Sequence, residues 1–269
     1  MNTVLATAAR PTMPRLSALD LWRELRTRQR TLTLFATALL ALMVPLAIAA
    51  GLDDRLLRGA NVWWKPLKFS LSIAVFAITT AWFIGHLPAE RRSSRSVRCV
   101  VGLTLVAGGF ELGYITLQAA LGQASHYNNS DTLHAVMYTL MGVGAVLLTA
   151  TQPLLAWQLH RHSRAALAPA YRLGVTAGLL LTFVLGTGVG ALLSTQQPPS
   201  GGIPIVGWSL SGGDLRPAHF LGIHAQQLLP LAGLALARLP VKTGCRAVAL
   251  TAVLYAAACV SLTARAWGG

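Results

Sequence analysis

Seven apolar runs mark out the chain, at about residues 31–50, 67–87, 98–121, 132–157, 173–194, 217–237 and 246–264. Each reaches the ~20 residues that a helix needs to cross the hydrocarbon core of a bilayer. The first, TLTLFATALLALMVPLAIAA, and the fifth, LGVTAGLLLTFVLGTGVGALLS, carry no charged residue. The alternating segments of roughly ten residues that build a membrane barrel are absent. The pattern predicts an all-α fold, a polytopic bundle of seven transmembrane helices. Pro45, Pro153 and Pro230 fall inside the runs, where neighbouring helices can re-satisfy the freed backbone groups.

The polar segments between the runs give a direction. Of 22 Lys and Arg residues, six precede residue 31, four lie in ERRSSRSVR, three in HRHSRAALAPAYR and three in ARLPVKTGCR. These are the N-terminus and every second connection. The remaining six are Arg55, Arg58, Lys65, Lys68, Arg216 and Arg265. That alternation is the positive-inside pattern and predicts a cytoplasmic N-terminus and an outer C-terminus. The formal net charge of +14 is thereby explained as a topology signal, and nucleic acid is not expected as a partner.

The expected organisation is a basic amphipathic segment at 1–30, the seven-helix domain at 31–264 and an outer tail at 265–269. Within the first segment Leu16, Leu19, Trp22 and Leu25 share a helical stripe among arginines, with Ser17 as its N-cap. Such a helix suits the anionic inner leaflet. IAAG after the first run faintly resembles a signal-peptidase site, but the preceding basic region is too long and the run too complete, so an uncleaved first helix is expected. Cys99, Cys245 and Cys259 form no CxxC or paired set. GTGVG at Gly186–Gly190 has no preceding strand and predicts close helix packing rather than phosphate binding.

The candidate chemistry collects in the expected outer half. His86, His160 and His162 fall at the inner ends beside arginines. Outside lie four of the eight acidic residues, Asp53, Asp54, Asp131 and Asp214. Glu111 sits well inside the third run, where a carboxylate costs of order 2.5–3.5 kcal/mol on insertion scales and needs an inward partner. Glu111, Ile115 and Gln118 share one stripe. In the sixth run His224 and Gln227 share a face, while His219 lies 140° from His224 and forms no zinc-protease pair. His126, in SHYNNSD beyond the third run, can meet His219 at the rim. This His/His/Glu/Asp set, with Asp214 in the loop before the sixth run, is ligand chemistry for zinc, iron, copper or haem b; interhelical hydrogen bonding and a metal-free ligand site are the alternatives.

The segments NVWWKPLKF, ELGYITLQAALGQASHYN and GGDLRPAHFLGIHAQQLLP together resemble a family of bacterial seven-helix integral membrane proteins. Its N-x-W-x-K-P-x-K and G-G-D-L-R-x-x-H-x-x-G-x-H-x-x-Q motifs are matched from about residue 50 to 235. The resemblance implies which residues matter and carries no activity. A weaker resemblance to alkaline ceramidases and progestin-receptor-like hydrolases fails on the spacing of His219 and His224.

The expectation that follows is a multi-pass protein of the bacterial inner membrane with a pocket open to the periplasm. In the first reading it is a metal- or haem-dependent enzyme acting on a lipid-like or quinone-like substrate. Glu111, Gln118 and Gln227 would be catalytic and His126, His219 and His224 metal ligands. Lys65, Lys68, Asn128, Asp214 and Arg216 would bind a small lipophilic or anionic substrate. The second reading is a transporter or ligand sensor that uses the same pocket without metal.

Overall fold

The computed structural model describes residues 17–163, 167–200, 202–203, 205–209 and 212–268. Residues 1–16 of the expected basic segment, Leu16 among them, and Gly269 of the tail lie outside these. The described chain is a helical bundle, and six of its helices are long and apolar enough to cross a membrane. They are α2 (Arg30–Leu52), α3 (Trp64–Ile84), α4 (Arg95–Ala120), α5 (Thr132–His162), α6 (Pro169–Thr195) and α9 (Val241–Trp267). Helices α2 to α6 run antiparallel in turn, and α9 runs parallel to α6, its Gly244 lying against Ala170 and its Cys259 packing with Leu185 and Val189. One end of the bundle therefore collects the arginine-bearing connections, and the opposite, distal end collects the α2–α3 and α4–α5 connections and the long segment after α6. Exposed Leu250, Val253, Leu254 and Val260 on α9 make an apolar outer belt of the kind that lipid covers.

The bundle is preceded by α1 (Ala18–Arg28), which starts as expected at Ser17. The Ser17 hydroxyl accepts the Asp20 amide at 3.1 Å and the Asp20 carboxylate accepts the Ser17 amide at 3.2 Å, a reciprocal capping box. Its apolar stripe is divided between protein and surroundings. Leu25 is buried in the core with Leu32, Phe83 and Leu159, while Leu19 is exposed. Arg28 lies over the Trp82 ring and donates to the Trp82 carbonyl at 3.0 Å.

The sixth run differs from the expected single helix over 217–237. It is split into α7 (Arg216–Ile223) and α8 (Ala225–Leu236), with His224 between them at φ −96°, ψ 6°. At the break Gly222 is pressed against the backbone of Leu185 and Gly186, where a Cβ would sit 3.0 Å away; Pro230, inside α8, has no N–H to offer the Gln226 carbonyl. The broken ends are cared for from neighbouring helices: Tyr255 donates its hydroxyl to the Leu221 carbonyl, and the Gln226 amide donates to the Thr182 hydroxyl at 2.9 Å. Without water in a bilayer core such partners are obligatory.

Glycines let α6 approach this broken element backbone to backbone. A Cβ at Gly174 would fall 2.5 Å from the Leu229 carbonyl, and one at Gly178 2.8 Å from that of Ala225. Small residues at a membrane helix interface permit that approach; of the GTGVG glycines, Gly186 and Gly190 pack against Ile223 and His219, while Gly188 meets no neighbour.

A two-residue hairpin, β1 (Leu56–Leu57) and β2 (Ala60–Asn61), closes the α2–α3 connection. Arg58 and Gly59 at its tip both have positive φ, 54° and 77°, as a type I′ turn requires. The periodicity of the sequence gave no sign of these strands because their pairing is decided by the turn alone.

Candidate functional site

The distal end is built from charged residues tied to backbone. Asp53 receives a bidentate fork from Arg55 and the Trp63 indole N–H at 2.8 Å. Asn61 caps the end of α2, donating to the Asp53 carbonyl at 2.5 Å and accepting the Trp63 amide at 2.9 Å. Arg55 and then Trp63 hold the Asp53 carboxyl well below the usual carboxylate range. The motif positions Asn61 and Trp63 thus hold a loop in place.

The segment after α6 is fastened in the same way. Asp214 is fully buried in its side chain. It accepts the Ser209 amide at 2.8 Å, the Arg216 amide at 3.0 Å and the Arg216 guanidinium at 2.7 and 2.8 Å. Burial pushes its pKa up, but the guanidinium and the two amides outweigh burial and leave it lowered. Arg216 also reaches the Gly207 and Pro199 carbonyls at 2.5 and 3.3 Å, and Lys68 donates to the Val206 carbonyl at 2.9 Å. Asn128 donates to the Ala124 carbonyl at 3.0 Å and accepts from the Ser130 amide. Of the five residues expected to hold a substrate, Lys68, Asn128, Asp214 and Arg216 are therefore engaged by the protein itself, and Lys65 stands apart from them.

Lys65, in the first turn of α3, is half-buried with its ammonium 5.8 Å from the Phe69 ring centre. It lies within electrostatic reach of Glu111 and also of Arg58, Lys68 and Arg216. Among the described residues neither Lys65 nor Glu111 makes a salt bridge. Glu111 is 5% exposed, nine residues before the end of α4 and so about 13 Å below it at ~1.5 Å per residue. Its Oε1 has no partner within the protein. Opposite it α5 presents Gly144, where a Cβ would lie 3.2 Å from that oxygen. The expected stripe of Glu111, Ile115 and Gln118 is buried throughout, and Gln118 Oε1 is likewise unpartnered.

The three histidines share a neighbourhood but each has its own surroundings. His126 packs edge-on to Phe69 and against Tyr138, with ring centres at 6.0 and 5.8 Å, and its Nδ1 is 3.2 Å from the Ser125 hydroxyl. Burial first, then Lys65, depresses its pKa well below the ordinary value, so it is neutral through the physiological range. His219 rests on α6, its Cε1 3.1 Å from where a Cβ on Gly190 would sit, and its Nδ1 is buried without a partner. His224 lies against Phe220 at 4.1 Å between ring centres.

A directed chain runs from His224 to α3. Its Nδ1 meets Gln227 Oε1 at 3.2 Å, the Gln227 amide donates to the Thr79 hydroxyl at 3.1 Å, and Thr79 donates to the Val75 carbonyl at 2.7 Å. Because Gln227 uses its amide nitrogen on Thr79, His224 Nδ1 carries the proton and Nε2 is the free acceptor. Gln227 is therefore an interhelical link beside the break in the helix.

Among the described residues no three His, Cys, Asp or Glu side chains form a group able to hold a metal ion. The expected His126, His219 and His224 set is not assembled. His126 is fixed by Ser125 and two aromatic rings, and the helix break turns His224 toward Phe220 and Gln227. An apolar groove of about 420 Å³, lined by Leu39, Leu42, Leu112, Gly113 and Thr116, lies between α2 and α4, apart from these groups.

The sequence did not point to Tyr127 and Tyr138, whose hydroxyls donate to the Leu193 and Ser194 carbonyls at the distal end of α6. Nor did it single out Gln152, Gln158 and Thr80, which are buried with unpartnered oxygens; a glutamine inside an apolar run was the available signal. No known family model, curated protein or solved structure matches the chain.

Proposed function

We propose that this is a multi-pass protein of the bacterial inner membrane whose periplasmic half holds a metal-free site for an amphiphilic anion, with Glu111 taking up a proton as the anion binds. α7, His224 and α8 together span 216–236, 21 residues, enough for a seventh, interrupted crossing. The arginine-rich connections support placing that end in the cytoplasm, which sets Lys65 and Glu111 on the periplasmic side. Discontinuous membrane helices are a recurrent place for ligands.

The observation that carries the reading is the pair of half-buried Lys65 and buried Glu111, which lie within electrostatic reach without a salt bridge while Lys68 and Arg216 beside them are held by the segment after α6. An anionic head group can pair with Lys65, and its apolar tail lies naturally in the surrounding lipid. A single lysine neutralises one negative charge. With Glu111 ionised as well, binding would leave an uncompensated charge in a medium of low dielectric. Binding therefore proceeds with protonation of Glu111, and affinity falls as pH rises.

Calorimetric titration with decanesulfonate below its micellar concentration tests this, because the sulfonate stays charged throughout. The expected result is affinity that weakens by up to about tenfold per pH unit above the protonation range, one proton being linked to binding. Lys65→Met removes binding and Glu111→Gln removes its pH dependence. Unaltered pH dependence in Glu111→Gln, or a stoichiometric metal lost on His126→Ala, overturns the reading.

A further inference from the structure

Buried polar atoms without a protein partner recur along the whole length of the bundle, not only at Glu111. Gln118 Oε1, Glu111 Oε1, Thr80 Oγ1, Gln152 Oε1, both amide atoms of Gln226 and Gln158 Oε1 are all of this kind. In a bilayer core each such group costs several kcal/mol unless it is satisfied, and a buried water with two to four polar neighbours is the usual answer.

Contacts between helices fix the levels of these groups. Gly144 of α5 faces Glu111, and Thr149 of α5 meets Thr187 of α6 at 2.9 Å. Thr182 of α6 accepts the Gln226 amide at 2.9 Å, and Gln227 reaches Thr79, next to Thr80, at 3.1 Å. Because α5 and α6 are antiparallel, Gln152 lies within ~3 Å of the level of Thr182. Gln152, Gln226 and Thr80 thus form one polar layer drawn from three helices. Glu111, level with Gly144, stands eight residues or about 12 Å above that layer, with the Thr149–Thr187 pair between. Gln158 stands six residues or about 9 Å below it. Beyond, at the arginine-rich end, His86 Nε2 and the Tyr171 hydroxyl meet at 3.1 Å.

We propose that these layers carry a file of water joining the arginine-rich end to Glu111, and that Glu111 receives its proton along it. Each water accepts one proton and passes on another. A Glu111 carboxylate ends as the acid, and the solution at the arginine-rich end has lost one proton. Lys65 of α3 is the charged group that acts on Glu111 from the packed helices, and Gly144 of α5 lies against its Oε1. The path rests on the Glu111 reading above for its purpose, but its existence is separately testable.

The test is infrared spectroscopy of the full chain in proteoliposomes, following the protonated-carboxyl band that Glu111→Gln removes. After a change to D2O, the band shifts as the acid proton exchanges. Replacing Gln152 and Gln226 by Leu, of similar volume, is expected to slow that exchange at least tenfold, while Gln118→Leu, on the far side of Glu111, leaves it unchanged. Folding of each variant is checked by its helical circular dichroism. Unchanged exchange in the double variant, or equal slowing by Gln118→Leu, overturns the path even where pH-dependent sulfonate binding persists. Absence of a protonated band at every pH overturns the path and the Glu111 reading together.

Discussion

The distal loops and the interior of the bundle use polar residues in opposite ways. In the loops Asp53, Asp131 and Asp214 each accept from backbone amides together with an arginine or histidine. In the interior Glu111, Gln118, Gln152 and Gln226 are at most 5% exposed and hold oxygens that no protein group reaches. A partnered carboxylate at a loop is explained by the loop. An unpartnered one within the membrane region points to something else that it binds.

The comparison predicts unequal responses to truncation. The largest effect is expected at Asp214→Ala, which removes the buried carboxylate that the Arg216 guanidinium and the Ser209 and Arg216 amides share. The loss of stability should be about 2 kcal/mol, below the ~3–5 kcal/mol of a fully enclosed pair because Arg216 is partly exposed. Thermal denaturation in detergent measures it, and a change below a few tenths would erase the distinction.

Acid should find the same network. The Asp214 carboxyl is held below its ordinary value of 3.8 in the folded chain. Its contribution is therefore present above that value and disappears as pH falls through the lower, folded one. Asp131, lowered first by the His134 amide and then by the His134 ring, follows the same sign. Unfolding curves on acidification should show wild type losing stability that Asp214→Ala has already lost, so the two converge.

Interior substitutions are expected to do least. Gln226→Leu replaces two unpartnered atoms with methyl groups and should change stability by no more than about 1 kcal/mol, in the stabilising direction if it changes at all. A loss as large as that of Asp214→Ala would mean that Gln226 is a structural hydrogen-bonding residue, and the contrast between the regions would fail.

Much of the helical frame was legible because a bilayer demands long apolar runs, and α2 to α6 and α9 follow them closely. The interruption at His224 was not, since it goes with contacts to other helices: Gly222 meets Gly186, and the Leu221 carbonyl and Gln226 amide find partners on α9 and α6. In the site, Glu111 stood out because an isolated carboxylate in an apolar run has no local explanation. Lys68, Asp214 and Arg216 looked equally functional in sequence, and only the fold reveals that the segment after α6 claims them. Residue type marks a costly position; it does not say whether the partner is the chain itself.

The most direct test of the central claim is to extract and identify what accompanies the detergent-purified protein, by mass spectrometry, beside Lys65→Met. The account predicts an acidic amphiphile retained near one per chain by wild type and lost from the variant, with no stoichiometric metal in either. Identical extracts from both proteins would contradict it.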